Sequence, residues 1–107
     1  AGCSPDGLVG DEGGVEAKSV IVTTQIETIM SGSYPPEHKA QVQGNLWITG
    51  RRWWDFVSYC QDMPTPNLRL YVYRVHPEPS YQRNLEAEVR VFLTEVDKLY
   101  RSLMEAA

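Results

Sequence analysis

An aspartate, a glutamate and a lysine stand near the start of the chain, as Asp6, Glu16 and Lys18. Two hard carboxylate oxygens beside an ammonium could hold a divalent cation such as Mg²⁺ and steady a water attacking a phosphodiester. The same residues could equally decorate a turn and a solvated strand face, because Glu-x-Lys by itself separates neither case. What decides is whether secondary structure gathers them. Asp6-Gly7-Leu8-Val9 and Val15 to Val22 are apolar-rich, and Gly10-Asp11-Glu12-Gly13-Gly14 between them is a turn signal. The stretch therefore reads as a β-hairpin. A strand's period of two puts Glu16 and Lys18 on one face and Ala17 on the other, with Asp6 at the start of the partner strand.

The elements that follow must frame this hairpin. Thr24 and Glu27 form a capping box ahead of a short helix whose apolar face is Ile26, Ile29 and Met30, ended by Gly32. A second helix runs from Pro36 to about Thr49 and stops at Gly50. It carries Val42, Leu46 and Thr49 on one stripe, with Trp47 beside it, and His38, Gln41 and Asn45 on another. That polar stripe faces either solvent or a site. Trp53 to Tyr59 is rich in aromatic and β-branched residues and reads as a strand. Its paired tryptophans, next to Arg51-Arg52, suit either a hydrophobic core or a base-stacking platform. Leu68 to Val75 is the next strand, broken by His76-Pro77-Glu78-Pro79. Ser80 then caps a long amphipathic helix with Tyr81, Leu85, Val89, Phe92, Val96, Leu99 and Leu103 at spacings of four and three. It packs on the sheet or forms a subunit contact.

The whole is expected to be a single domain of 107 residues, 42% hydrophobic. A net charge of −4 argues against a surface that coats nucleic acid broadly, though not against a local basic groove. Cys3 and Cys60 form no metal-binding pair and read as free thiols of a reducing cytoplasm. No apolar run approaches the roughly 20 residues of a membrane span. The start at Ala1, without Met and almost inside the first strand, reads as a chain whose upstream part is missing.

Taken together, Ser4-Pro5-Asp6-Gly7, the glycine turn, Glu16-x-Lys18 and the run from Gln41-Val42-Gln43-Gly44 to Trp53-Trp54-Asp55-Phe56-Val57-Ser58-Tyr59 resemble the phage lambda exonuclease, or YqaJ-like viral recombinase, family. That family lies within the PD-(D/E)xK nuclease superfamily. The resemblance implies an α/β (α+β), restriction-endonuclease-like core, a central mixed β-sheet flanked by helices. It implies a catalytic domain without its N-terminal helical part, and a Mg²⁺-dependent exonuclease, with Mn²⁺ able to substitute, that resects duplex DNA from 5′ ends. Carried over, Asp6, Glu16 and the Ala17 main-chain carbonyl hold the metal, Lys18 acts on the attacking water, and Gln41 faces the metal or the nucleophile. Arg51, Arg52 and His38 are expected as DNA contacts. Where the family often has tyrosine three residues before the first glutamine, this chain has His38, and Ser19-Val20 stand where Cys-Pro usually follows the lysine. Implied partners are double-stranded DNA and a single-strand annealing protein, in a homotrimer in the cytoplasm of a bacterial host of phage or prophage. An endonuclease of the same superfamily and a non-catalytic DNA-binding relative are the alternatives.

Overall fold

The computed structural model describes residues 7–106. The chain divides into two compact units, Ala1–Pro77 and Glu78–Ala107. In the first, strands β1 (Gly7–Val9), β2 (Gly13–Ser19), β3 (Trp53–Tyr59) and β4 (Leu70–Val75) form one mixed sheet in that order. β1 and β4 run antiparallel to their neighbours, while β2 and β3 are parallel. The parallel pair requires a crossover. It is supplied by helix α1 (Val22–Ser31), a single 3₁₀ turn (Pro36–His38) and helix α2 (Lys39–Thr49). The expected mixed sheet with flanking helices is what forms.

Three rows of side chains cross the covered face of the sheet, set by the registers. Gly14, Trp54 and Val75 make the first; Glu16, Phe56 and Tyr73 the second; Lys18, Ser58 and Tyr71 the third. Val42 and Leu46 of α2 close the core over Trp54, Phe56 and Val75. The segment joining the helices caps the middle row: the Tyr34 ring lies 5.8 Å from both Phe56 and Tyr73, and His38 stacks 5.3 Å from Phe56. The opposite face carries Asp55, whose carboxylate accepts two bonds from Arg74 at 2.8 and 3.0 Å, and the Arg74 guanidinium lies 3.7 Å above the Trp53 ring.

Several boundaries differ from the sequence reading. β2 starts at Gly13-Gly14, taken as turn: the two pair with Trp53 and Trp54, and they are glycine because a Cβ on either would fall within 2.1–2.5 Å of the Trp53 or Trp54 ring. β2 also ends at Ser19, and Val22 opens α1 rather than closing the strand. Ile21 occupies the N-cap, so no Thr24–Glu27 capping box forms; the Thr24 carbonyl accepts a bond from Thr28 Oγ1 at 2.9 Å instead. α1 buries Gln25 and Thr28 and leaves Ile26 and Met30 exposed, the reverse of the expected face. Gly32 and Gly50 do end their helices in the left-handed conformation, at φ 66° and 67°. Pro66–Leu68 is a 3₁₀ turn, so β4 begins two residues late.

The second unit is helix α3, Pro79–Ala106. It starts at Pro79, which suits a first helical position because its missing N–H has no partner there. Ser80 thus lies inside the first turn rather than at the cap. Pairs one turn apart, Glu86–Arg90 at 2.7 Å and Asp97–Arg101 at 3.2 Å, brace its polar side. Its apolar stripe, with Phe92, Leu99 and Leu103 among others, is exposed. No helix among the described residues is long and apolar enough to cross a membrane.

Candidate active site

Glu16 is the centre of the site because of where its strand places it. β2 is two-sided, and its pleat turns Glu16 and Lys18 toward the covered face while Ala17 looks out on the other. Glu16 is only 2% exposed, in the middle row beside Phe56. Helix α2 rises past it and carries Gln41, whose Nε2 donates to Glu16 Oε1 at 2.9 Å. Lys18 Nζ reaches the same Oε1 at 3.1 Å. Both polar neighbours therefore hold one oxygen. The other, Oε2, is buried with no hydrogen-bond partner among the described residues.

A buried carboxylate oxygen without a partner is costly unless something positive meets it. A hard divalent cation is the ligand such an oxygen suits, and a carboxylate is the donor such cations take. The residues fit a metal ion to that extent. Among the described residues no group of three or more His, Cys, Asp or Glu side chains gathers at one point. Asp6, named above as the second carboxylate, lies outside the described residues. It directly precedes β1, whose Gly7 pairs with Val15, the neighbour of Glu16.

The remaining sequence-derived residues are distributed as follows. His38 sits at the N-cap of α2, one turn before Gln41, with its ring flat against Phe56. Asn45, the third member of the polar stripe, is buried, and its Nδ2 has no partner among the described residues. Along that stripe Asn45 is buried, His38 half-buried and Gln41 exposed, so only its Asn45 end is fully enclosed by the protein. Arg51 donates from Nη1 to the main-chain oxygens of Gly10 and Gly13 at 2.7 and 3.0 Å, which closes the β1–β2 turn. Arg52 is largely exposed and stands 3.8 Å from Glu12. Trp54 is fully buried and belongs to the core, while Trp53 lies under Arg74. Cys60 is a buried free thiol; Cys3 lies outside the described residues.

Sequence reasoning missed the Gln25–Ser58 pair that holds α1 to β3. Ser58 Oγ donates to Gln25 Oε1 at 2.6 Å, both residues being buried. Only the register of β2 on β3, which sets Ser58 beside Lys18, could have raised it.

Residues 1–52, which span Asp6, Glu16, Lys18 and Gln41, match the family model of the YqaJ-like viral recombinase domain. Two solved structures of an alkaline exonuclease, LHK-Exo from Laribacter hongkongensis, one of them in complex with dAMP, are similar to the chain. Each shares 38% identity with a TM-score of 0.78, over 97% of this chain and 55% of the exonuclease. The chain therefore spans little more than half the length of those relatives. No curated protein matches it. The resemblance in the hairpin and the α2–β3 block, and the fold it implies, both hold.

Proposed function

From a chain similar in sequence and fold to the YqaJ-like viral recombinases and the alkaline exonuclease, we propose a metal-dependent DNA exonuclease. It resects duplex DNA from 5′ ends, with Mg²⁺ or Mn²⁺ as cofactor. The observation that carries this reading is the division of labour at Glu16: Oε1 is taken by Lys18 and Gln41, and Oε2 is buried with no partner among the described residues. Asp6, Glu16 and the Ala17 carbonyl would hold the cation. When bound, it supplies Lewis acidity toward the phosphodiester and charge balance for the developing negative charge.

The protein's own groups do the rest. The Lys18 ammonium, held at one carboxylate oxygen, stands where it can donate a hydrogen bond to the attacking water or to a phosphoryl oxygen. Gln41, bonded to the same oxygen, fixes the Glu16 carboxylate and spares it a rotation during the reaction. Arg52, exposed at the β2–β3 end of the sheet, and His38 contact the DNA. Arg51, whose guanidinium closes the turn, contributes through that turn and through its charge. Double-stranded DNA is the substrate, in keeping with the nucleotide found in the LHK-Exo complex. A homotrimer, a single-strand annealing partner and action in the bacterial cytoplasm on behalf of a phage or prophage complete the proposal.

The test is digestion of three substrates by the full-length protein: 5′-phosphorylated linear duplex, the same duplex with 5′-hydroxyl ends, and a covalently closed circle. We expect fast, slow and no digestion respectively, in Mg²⁺ or Mn²⁺ only. Ca²⁺ should bind without turnover, and excess EDTA should stop the reaction. Linearisation of the circle would decide for an endonuclease. Retained DNA binding with no cleavage of any substrate would decide for a non-catalytic relative.

A further inference from the structure

Helix α1 is attached to the sheet by a carboxamide. Gln25, fully buried, donates from Nε2 to the main-chain oxygens of Ser58, Leu68 and Arg69 at 3.2, 3.0 and 3.2 Å, while its Oε1 accepts from Ser58 Oγ at 2.6 Å. A carboxamide has two donor hydrogens and one acceptor oxygen, and here both ends are in use. An apolar residue of the same shape would leave the buried Ser58 groups and the part-buried Leu68 carbonyl without this partner, while the Arg69 carbonyl would keep its bond from Cys60 N–H at 2.8 Å. No apolar side chain of α1 is fully buried; Thr28 is the helix's other buried residue.

This attachment bears on Lys18. Ser58 is its register partner in the parallel ladder, on the same face of the sheet. The ladder closes just beyond, where Val20 N–H donates to the Tyr59 carbonyl at 2.9 Å. α1 opens at Val22, and its first turn carries Gln25 back over Ser58. The short path from Lys18 to Gln25 is thus fastened to the end of β3 at both ends. We infer that Gln25 is a positioning residue for Lys18: through Ser58 it fixes α1 against β3 and so sets where the Lys18 ammonium stands against Glu16 Oε1. Among the described residues the side chain of Gln25 bonds to Ser58, Leu68 and Arg69, none of them assigned to substrate or metal. The catalytic consequence rests on the nuclease reading, whereas the positional one does not.

Two readouts keep those apart. The first is the acylation rate of Lys18 relative to Lys98, followed by mass spectrometry on the metal-free protein. Gln25→Met should raise it about threefold, the scale on which loosening a partly exposed ion pair frees its amine. The second is steady-state digestion of linear duplex, where kcat should fall about tenfold with KM changed less than about twofold, as misplacement of a reacting group does. Ser58→Ala should reproduce both effects, the double variant should be no worse than either single one, and Ser58→Thr should restore the parent values. If Gln25→Met does not fold, Ser58→Ala carries the test. Unchanged Lys18 acylation in a folded variant overturns the inference, whether or not kcat falls. A parent protein that cuts no DNA overturns the nuclease reading alone, and acylation still decides for Gln25.

Discussion

The two helices of the crossover lie on the same face of the same sheet and are held by opposite means. α2 docks by volume: Val42 and Leu46 are buried against Trp54, Phe56 and Val75. α1 docks by direction, through Gln25 to Ser58 and to two carbonyls before β4, with Tyr71 Oη donating to the Ser33 carbonyl at 2.8 Å. Glu16 occupies the row between them. Apolar packing resists loss of atoms but tolerates small rotations, whereas a hydrogen-bonded carboxamide tolerates neither rotation nor replacement. The arrangement gives the Glu16 carboxylate one flank that supplies stability and another that supplies orientation.

The largest effect should come from the α2 flank. Trp54→Ala removes a fully buried ring that only Gly14 leaves room for. We expect about 3–5 kcal/mol of lost stability in urea unfolding, the usual cost of emptying such a site. Ser58→Ala on the α1 flank should cost less, about 1–3 kcal/mol for the unpaired amide oxygen it leaves. Equal losses on the two sides would end the contrast between volume and direction.

That contrast also separates what could be read from the sequence. The pleat assigns Glu16 and Lys18 to one face from their spacing alone, and the helical period set Gln41 on a stripe with His38 and Asn45. These are local rules, and the structure brings Glu16, Lys18 and Gln41 together at a single oxygen. Gln25 had no such signal, because its partners Leu68 and Arg69 come from a turn beyond β3. The helical period of Ile26, Ile29 and Met30 pointed instead to the wrong face. Gly13-Gly14 likewise reads as turn, since the tryptophans that demand glycine there belong to another strand. Asp6 lies outside the described residues, so its half of the carboxylate pair rests on the hairpin pattern and the family resemblance.

Within the site the two residues on Glu16 Oε1 should not be equivalent. On the proposed function Lys18 would carry charge to the reaction, and Lys18→Ala is then expected to lower kcat about 10²-fold or more with DNA binding largely kept. Gln41 is a neutral brace, and Gln41→Ala should cost on the order of tenfold, near the limit for one hydrogen bond. Both are read from single-turnover and binding measurements on linear duplex. A Gln41 variant slower than the Lys18 variant would mean that the brace, not the ammonium, acts on the reacting groups.

The smallest effect is a pH dependence that belongs to the α1 flank alone. Tyr71 has its phenol pKa raised above the ordinary value of 10.0, first because burial disfavours the phenolate and then through Tyr73 beside it. A group with a raised folded pKa binds its proton more tightly when folded. Its contribution is therefore complete below about pH 10 and is lost as pH rises through the folded value. The lost proton is also the one Tyr71 donates to the Ser33 carbonyl, so ionisation breaks the contact that ties the end of α1 to β4. Tyr71→Phe should cost about 1 kcal/mol at neutral pH, the net value of one such bond. The gap between parent and variant should then close above about pH 10, as the parent's phenol ionises in the unfolded chain. A gap that stays constant from pH 8 to 11 in urea titrations would place the alkaline sensitivity elsewhere and leave Gln25 and Ser58 as the whole of the directional flank.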